Sequence, residues 1–180
     1  MKNYLIKDSL DSDIIDERLQ WCYNNLLYDD ILKYEITDDN RLIIYGNIFI
    51  DDSIEEIPVL IDEVYGDVIF ENTKYMRYGN LKNLKNCPKI IHGTFKCNHN
   101  NILSLKGGPE YVGGNYWCNN CNLKTLDGIA KYIGGSLMIY NNDIADISKL
   151  KDITIKGYID IENNKFNLKN DVFESLKIYY

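Results

Sequence analysis

The chain has 180 residues, a net charge of −7, twelve glycines, three prolines, five cysteines and fifteen tyrosines. This is one domain's worth of chain with bulky apolar side chains to fill a core, and it has no run apolar enough to span a membrane. The odd cysteine count, the absence of a signal-type leader and the absence of an Asn-x-Ser/Thr acceptor lead to an expectation of reduced thiols in a cytoplasm rather than a secreted disulfide scaffold.

Charge is unevenly placed. Residues 1–72 carry 18 acids against 5 Lys/Arg, and residues 73–180 carry 9 against 15. In the acidic part Ser12 is positioned to cap a helix, with Asp13, Asp16 and Glu17 in its first turn. Ile15, Leu19, Cys22 and Leu26 then recur at helical spacing, which predicts one apolar stripe. Residues 1–40 are read as a helical cap laid over the first coil of a repeat array.

Residues 30–65 read mostly as strand, with Leu42–Tyr45 leading into Gly46 and acids Asp51, Asp52, Glu55 and Glu56 decorating the next turn. The segment 71–80 is longer than its neighbours require. It carries Glu71, then Tyr75, Met76, Arg77 and Tyr78 as a sticky, basic loop tip.

From Gly93 the chain copies itself. GTFKCNHNNILSLKGGPEYVG lies without a gap on GNYWCNNCNLKTLDGIAKYIG after a shift of 21 residues. Phe95 meets Tyr116, Cys97 meets Cys118 and Ile102 meets Leu123. Leu137, Ile139, Asn142 and Ile144 form a third copy. Ile159, Ile161, Asn164 and Phe166 form a fourth. One such unit cannot bury its apolar residues alone, so a period near 20 predicts stacked coils. Six strand-bearing coils are expected, starting near Gly46, Gly66, Gly93, Gly114, Gly135 and Gly157. After position 8 of each unit the chain is too short for a long helix, and turns or a 3₁₀ piece are expected. The solenoid is assigned to 41–167 and a short C-terminal cap to 168–180, with Asn170 or Asp171 starting a helix that carries Val172, Phe173 and Leu176.

The spacing Phe95-x-Cys97-x-x-Asn100-x-Ile102, with Cys121 at the Asn position of the next unit, resembles the leucine-rich repeat signature. It is most similar to the short, degenerate repeats of bacterial and bacteriophage proteins. The departures are Tyr, Phe, Ile or Cys for Leu, and an apolar pair followed by Gly-Gly as the leader. The resemblance covers about two-thirds of the chain. It implies a mainly β solenoid with a parallel strand on each coil, and a binding role rather than catalysis. It further implies an inhibitor or modulator of a host protein, in an antiviral defence pathway, acting in the bacterial cytoplasm.

Between the inward positions of each strand lies an outward column of Phe49, Ile69, Lys96, Trp117, Met138 and Asp160. Two residues on, a second column contains Asp51, Glu71, Asn98, Asn119, Tyr140 and Glu162. In-register Trp, Tyr and Met on an outer face are residues of interface cores. Phe49, Ile69, Lys96, Trp117, Met138 and Tyr140, with Tyr75, Arg77 and Tyr78 of the loop, are therefore the expected partner-binding residues. The alternative is an acidic surface, Asp51, Asp52, Glu55, Glu56 and Glu71, that mimics nucleic acid in a basic groove. No cofactor is expected. Cys97, Cys118, Cys121 and His99 form a weak zinc set, weighed against buried thiols. The two histidines have no nucleophile at catalytic spacing, and the Gly-Gly pairs recur as turn glycines, so no enzyme is expected. The expected partner is a protein rather than nucleic acid or membrane, bound by a monomer or homodimer.

Overall fold

The computed structural model describes residues 3–6, 17–25, 31–51, 53–70, 78–166 and 178–179. The repeat folds as its period predicts: the chain winds into parallel coils of about 21 residues, and Phe95 and Tyr116 are partners in one ladder with ring centroids 5.0 Å apart.

Each coil carries two short strands rather than one. Coil-forming strands of the first kind are β3 (Leu42–Tyr45), β5 (Ile61–Val64), β7 (Ile90–Ile91), β9 (Tyr111–Val112), β11 (Tyr132–Ile133) and β13 (Thr154–Ile155). They stack in parallel as sheet A. Those of the second kind are β4 (Ile48–Ile50), β6 (Val68–Phe70), β8 (Phe95–Lys96), β10 (Tyr116–Trp117), β12 (Leu137–Met138) and β14 (Ile159–Asp160). They stack in parallel as sheet B, and these are the six strands expected from the repeat. The apolar pair before Gly-Gly, read as a leader, is the sheet A strand, and the glycines turn the corner into sheet B. At Gly134 a Cβ would collide with the carbonyl of Gly113 on the coil below, so the corner admits only a bare backbone.

The third side of each coil is irregular. Its backbone still bonds coil to coil, as from Lys124 N–H to the Leu103 carbonyl and from Asp143 N–H to the Leu123 carbonyl. Among the described residues the expected 3₁₀ piece occurs there once, at Ser148–Asp152.

The inward columns form one buried core. Phe95, Tyr116 and Leu137 from sheet B, Val112 and Ile133 from sheet A, and Ile102 and Leu123 from the third side are all fully buried. Where sheet B ends, the turn asparagines tie adjacent coils together. Asn142 accepts from Cys121 N–H (2.9 Å) and Leu123 N–H (3.0 Å) and donates to the carbonyls of Cys118 and Ile139, both at 2.9 Å. Asn100 and Asn164 do the same work in their coils. The residue before this position takes a left-handed φ in four successive coils: His99 (57°), Asn120 (54°), Asn141 (53°) and Asn163 (52°). Asparagine tolerates that conformation better than most residues, which explains why Asn-Asn recurs at this turn.

At the N-terminal end α1 (Glu17–Asn25) buries Leu19 and Cys22 in the common core. Ser12, Ile15 and Leu26 of the expected helix lie outside the described residues. The cap is not purely helical. The strands β1 (Asn3–Ile6) and β2 (Ile31–Ile36) extend sheet A beyond β3 as an antiparallel pair. At the other end β15 (Ile178–Tyr179) adds to β14 in parallel. The helix expected from Asn170 lies outside the described residues.

Candidate functional site

The outward column of sheet B is continuous. Register pairs run Phe49 with Ile69, Ile69 with Lys96, Lys96 with Trp117, Trp117 with Met138, and Met138 with Asp160. All six side chains are half-buried rather than fully exposed. The Lys96 ammonium lies 5.9 Å from the centre of the Trp117 ring, within reach of a cation–π contact. Trp117 Nε1 and Asn98 Oδ1 are shielded from solvent and have no hydrogen-bond partner among the described residues.

The second column is not a uniform outward stripe. Tyr140 and Asn98 are half-buried, but Asn119 is buried. The cause is the brevity of the strands. By this position the backbone has left sheet B and is turning, so strict alternation no longer holds. Tyr78 is 57% exposed, while Tyr75 and Arg77 lie outside the described residues.

The acidic alternative is dispersed. Glu55 pairs with Lys82 at 2.6 Å and Glu56 with Lys85 at 3.8 Å, both on the third side. Asp51 accepts from Ser53 N–H at 2.8 Å in the turn after β4. Asp52 and Glu71 lie outside the described residues. The lysines of one coil thus meet the acids of the coil before, and the charge asymmetry of the sequence is partly cancelled where coils adjoin.

The expectation of five reduced thiols is corrected. Cys97 and Cys118, stacked in one inward column with Cα atoms 5.2 Å apart, form a disulfide. Adjacent parallel strands set that separation, so two cysteines in the same column meet without backbone movement. Cys22, Cys87 and Cys121 take no part in that disulfide and are buried. Burial pushes the Cys121 thiol up to about 12, and its Sγ donates to the Cys97 carbonyl at 3.1 Å. The weak zinc set is therefore broken up. Two of its sulfurs are bonded to each other, and His99 is exposed at the turn while the sulfurs are fully buried. No cluster of three or more His, Cys, Asp or Glu suited to a metal occurs among the described residues.

One feature of the outer surface is not anticipated by the repeat pattern. Five rings climb sheet A: Tyr45, Tyr65, His92, Tyr111 and Tyr132, with successive centroids 4.9, 4.2, 6.1 and 4.9 Å apart. Tyr65 and Tyr111 are 46% and 37% exposed, more open than the stripe on sheet B. The ladder is nevertheless satisfied within itself. Ring covers ring, Tyr45 donates to Glu35 at 2.9 Å, and His92 Nε2 lies 2.6 Å from Glu63. Each stacked pair contributes roughly 0.5–1.5 kcal/mol between coils. The signal is present in the sequence as Tyr65, Tyr111 and Tyr132, but two residues before Gly-Gly do not read as a strand.

The fold is thus a β-solenoid with a helix near its N-terminus, and among the described residues no helix is long and apolar enough to cross a membrane. No protein-family model, curated protein or solved structure matches the chain.

Proposed function

We propose that this chain is a non-enzymatic binding module that docks a protein partner on the outer face of sheet B. The observation that carries the reading is the in-register stripe Phe49–Ile69–Lys96–Trp117–Met138. Trp117 and Met138 stand on the outward side of sheet B, half-buried, between the inward residues Tyr116, Cys118, Leu137 and Ile139 that fill the core. Tyr140 and Tyr78 are assigned to the same surface, and Tyr75 and Arg77, outside the described residues, are assigned to it from the sequence alone. Following the leucine-rich-repeat resemblance, the partner is a host protein and the module is a bacterial or bacteriophage modulator of it, in antiviral defence. The cytoplasmic setting rests on that resemblance alone, since the Cys97–Cys118 bond removes the support that five reduced thiols gave it.

The test is comparative capture. Wild type, Trp117→Ala/Met138→Ala, and a charge-reversed Asp51/Glu55/Glu56/Glu71 variant are each used to draw binding proteins from bacterial lysate at low and high salt. A partner lost only by the double alanine variant, at both salts, is the expected result. A partner lost only by charge reversal, and released by salt, replaces this reading with acidic mimicry. What favours the stripe is that the acids among the described residues are dispersed, Asp51 in the turn after β4 and Glu55 and Glu56 on the third side, whereas the stripe is continuous in register.

A further inference from the structure

Away from the stripe, the corner between the third side and sheet A holds an open groove of about 480 Å³. Four cationic side chains line it, Arg41, Lys85, Lys89 and Lys106, and among the described residues no carboxylate does. On a chain of net charge −7 this is a local inversion of sign. The four come from three passes of the chain along this corner: Lys85 and Lys89 share one, Lys106 lies on the next and Arg41 two passes before, so at a rung spacing of about 4.8 Å their backbones spread over roughly 14 Å.

Lys89 is the anchor. Its ammonium donates to the carbonyls of Gly107 and Gly108, both at 3.3 Å, and among the described residues it forms no ion pair. A lysine has three N–H donors, so one is left over and the charge is held in place by neutral groups. The other three have carboxylate partners that do not line the groove. Arg41 uses only Nε on Asp62 (2.9 Å), leaving its two NH₂ groups unused among the described residues. Lys85 reaches Glu56 at 3.8 Å, and Lys106 reaches Asp127 at 3.5 Å, an acid that Lys149 holds more closely. Exposed pairs of this kind contribute little, so an incoming anion displaces them readily. Bidentate guanidinium donors together with point-charge ammoniums are the groups that recognise phosphate.

We propose that this groove binds a linear polyphosphate-type anion, the shared chemistry of inorganic polyphosphate chains and nucleoside triphosphates. A single phosphate touches too few of the four cations, whereas linked phosphates place charge along the groove. The assignment is independent of the protein-binding stripe.

The test is calorimetric titration of the whole chain with orthophosphate, pyrophosphate and tripolyphosphate at matched ionic strength, and with a nucleoside triphosphate. Affinity is expected to rise with chain length and fall with added salt. Whichever of tripolyphosphate and nucleoside triphosphate binds tighter identifies the source. Lys89→Gln is expected to weaken tripolyphosphate binding by about tenfold or more, Lys89→Arg to retain most of it, and Lys165→Gln, outside the groove, to leave it unchanged. If Lys89→Gln lowers the melting temperature, the exposed pair Lys85→Gln/Lys106→Gln carries the same expectation. No binding by wild type, no dependence on chain length, or equal losses in Lys165→Gln and the groove variants overturns the proposal.

Discussion

Asn142 shows how much one side chain settles in this fold. Its amide satisfies two backbone donors and three carbonyls, the third being Tyr140 at 3.3 Å. Asn142→Ala leaves buried backbone groups unpaired, each costing roughly 1–3 kcal/mol, so a loss of about 3–5 kcal/mol is expected in urea unfolding. This role is legible in the sequence, because asparagine recurs at the point where the strand must turn. The oxidation state of Cys97 and Cys118 is not. Their shared column follows from the repeat, but spacing alone does not distinguish two stacked thiols from a bond. Tyr45 gives a prediction in pH. Partial burial, then its hydrogen bond to Glu35, raises its phenol from 10.0 to about 12. Because the folded value is raised, this contribution to stability is complete below pH 10 and is lost as pH climbs through about 12. Tyr45→Phe should therefore flatten part of the alkaline fall in stability, followed as melting temperature against pH.

At the scale of the element, the second strand of each coil is hidden in the sequence by its length. A run of two residues such as Tyr111–Val112 shows no alternation, and the glycines after it read as punctuation. Sheet B is visible because its inward residues recur on both sides of an outward one. The same stacking that defines the sheets places the disulfide between neighbouring rungs, 21 residues apart in sequence. Closing a loop of that size stabilises the fold by about 3 kcal/mol. Cys97→Ala/Cys118→Ala should show a loss of that order in denaturant. In the native oxidised protein no thiol should react with an aromatic disulfide reagent, and three should react after unfolding, since Cys22, Cys87 and Cys121 are buried.

For the whole molecule, the solenoid makes stability a sum over neighbouring coils rather than a property of one centre. Deleting residues 114–134, one complete coil, joins Gly113 to Gly135 in register and takes Cys118 away from Cys97. That variant should keep its β circular dichroism and unfold at a lower temperature. Deleting half a coil moves every inward residue off its column and should abolish folding. The acidic N-terminal part and the basic remainder do not form separate bodies, because the ion pairs Glu55–Lys82 and Glu56–Lys85 and the backbone ladders of both sheets cross from one to the other.

The two ends of the prism are staggered. Among the described residues sheet A runs past β3 by the reversed pair β1–β2, and sheet B runs past β14 by β15. Neither end therefore offers two flush parallel edges. A second copy approaching end-on could continue one ladder only by leaving the other mismatched, and this protects an open-ended architecture from growing into a fibre.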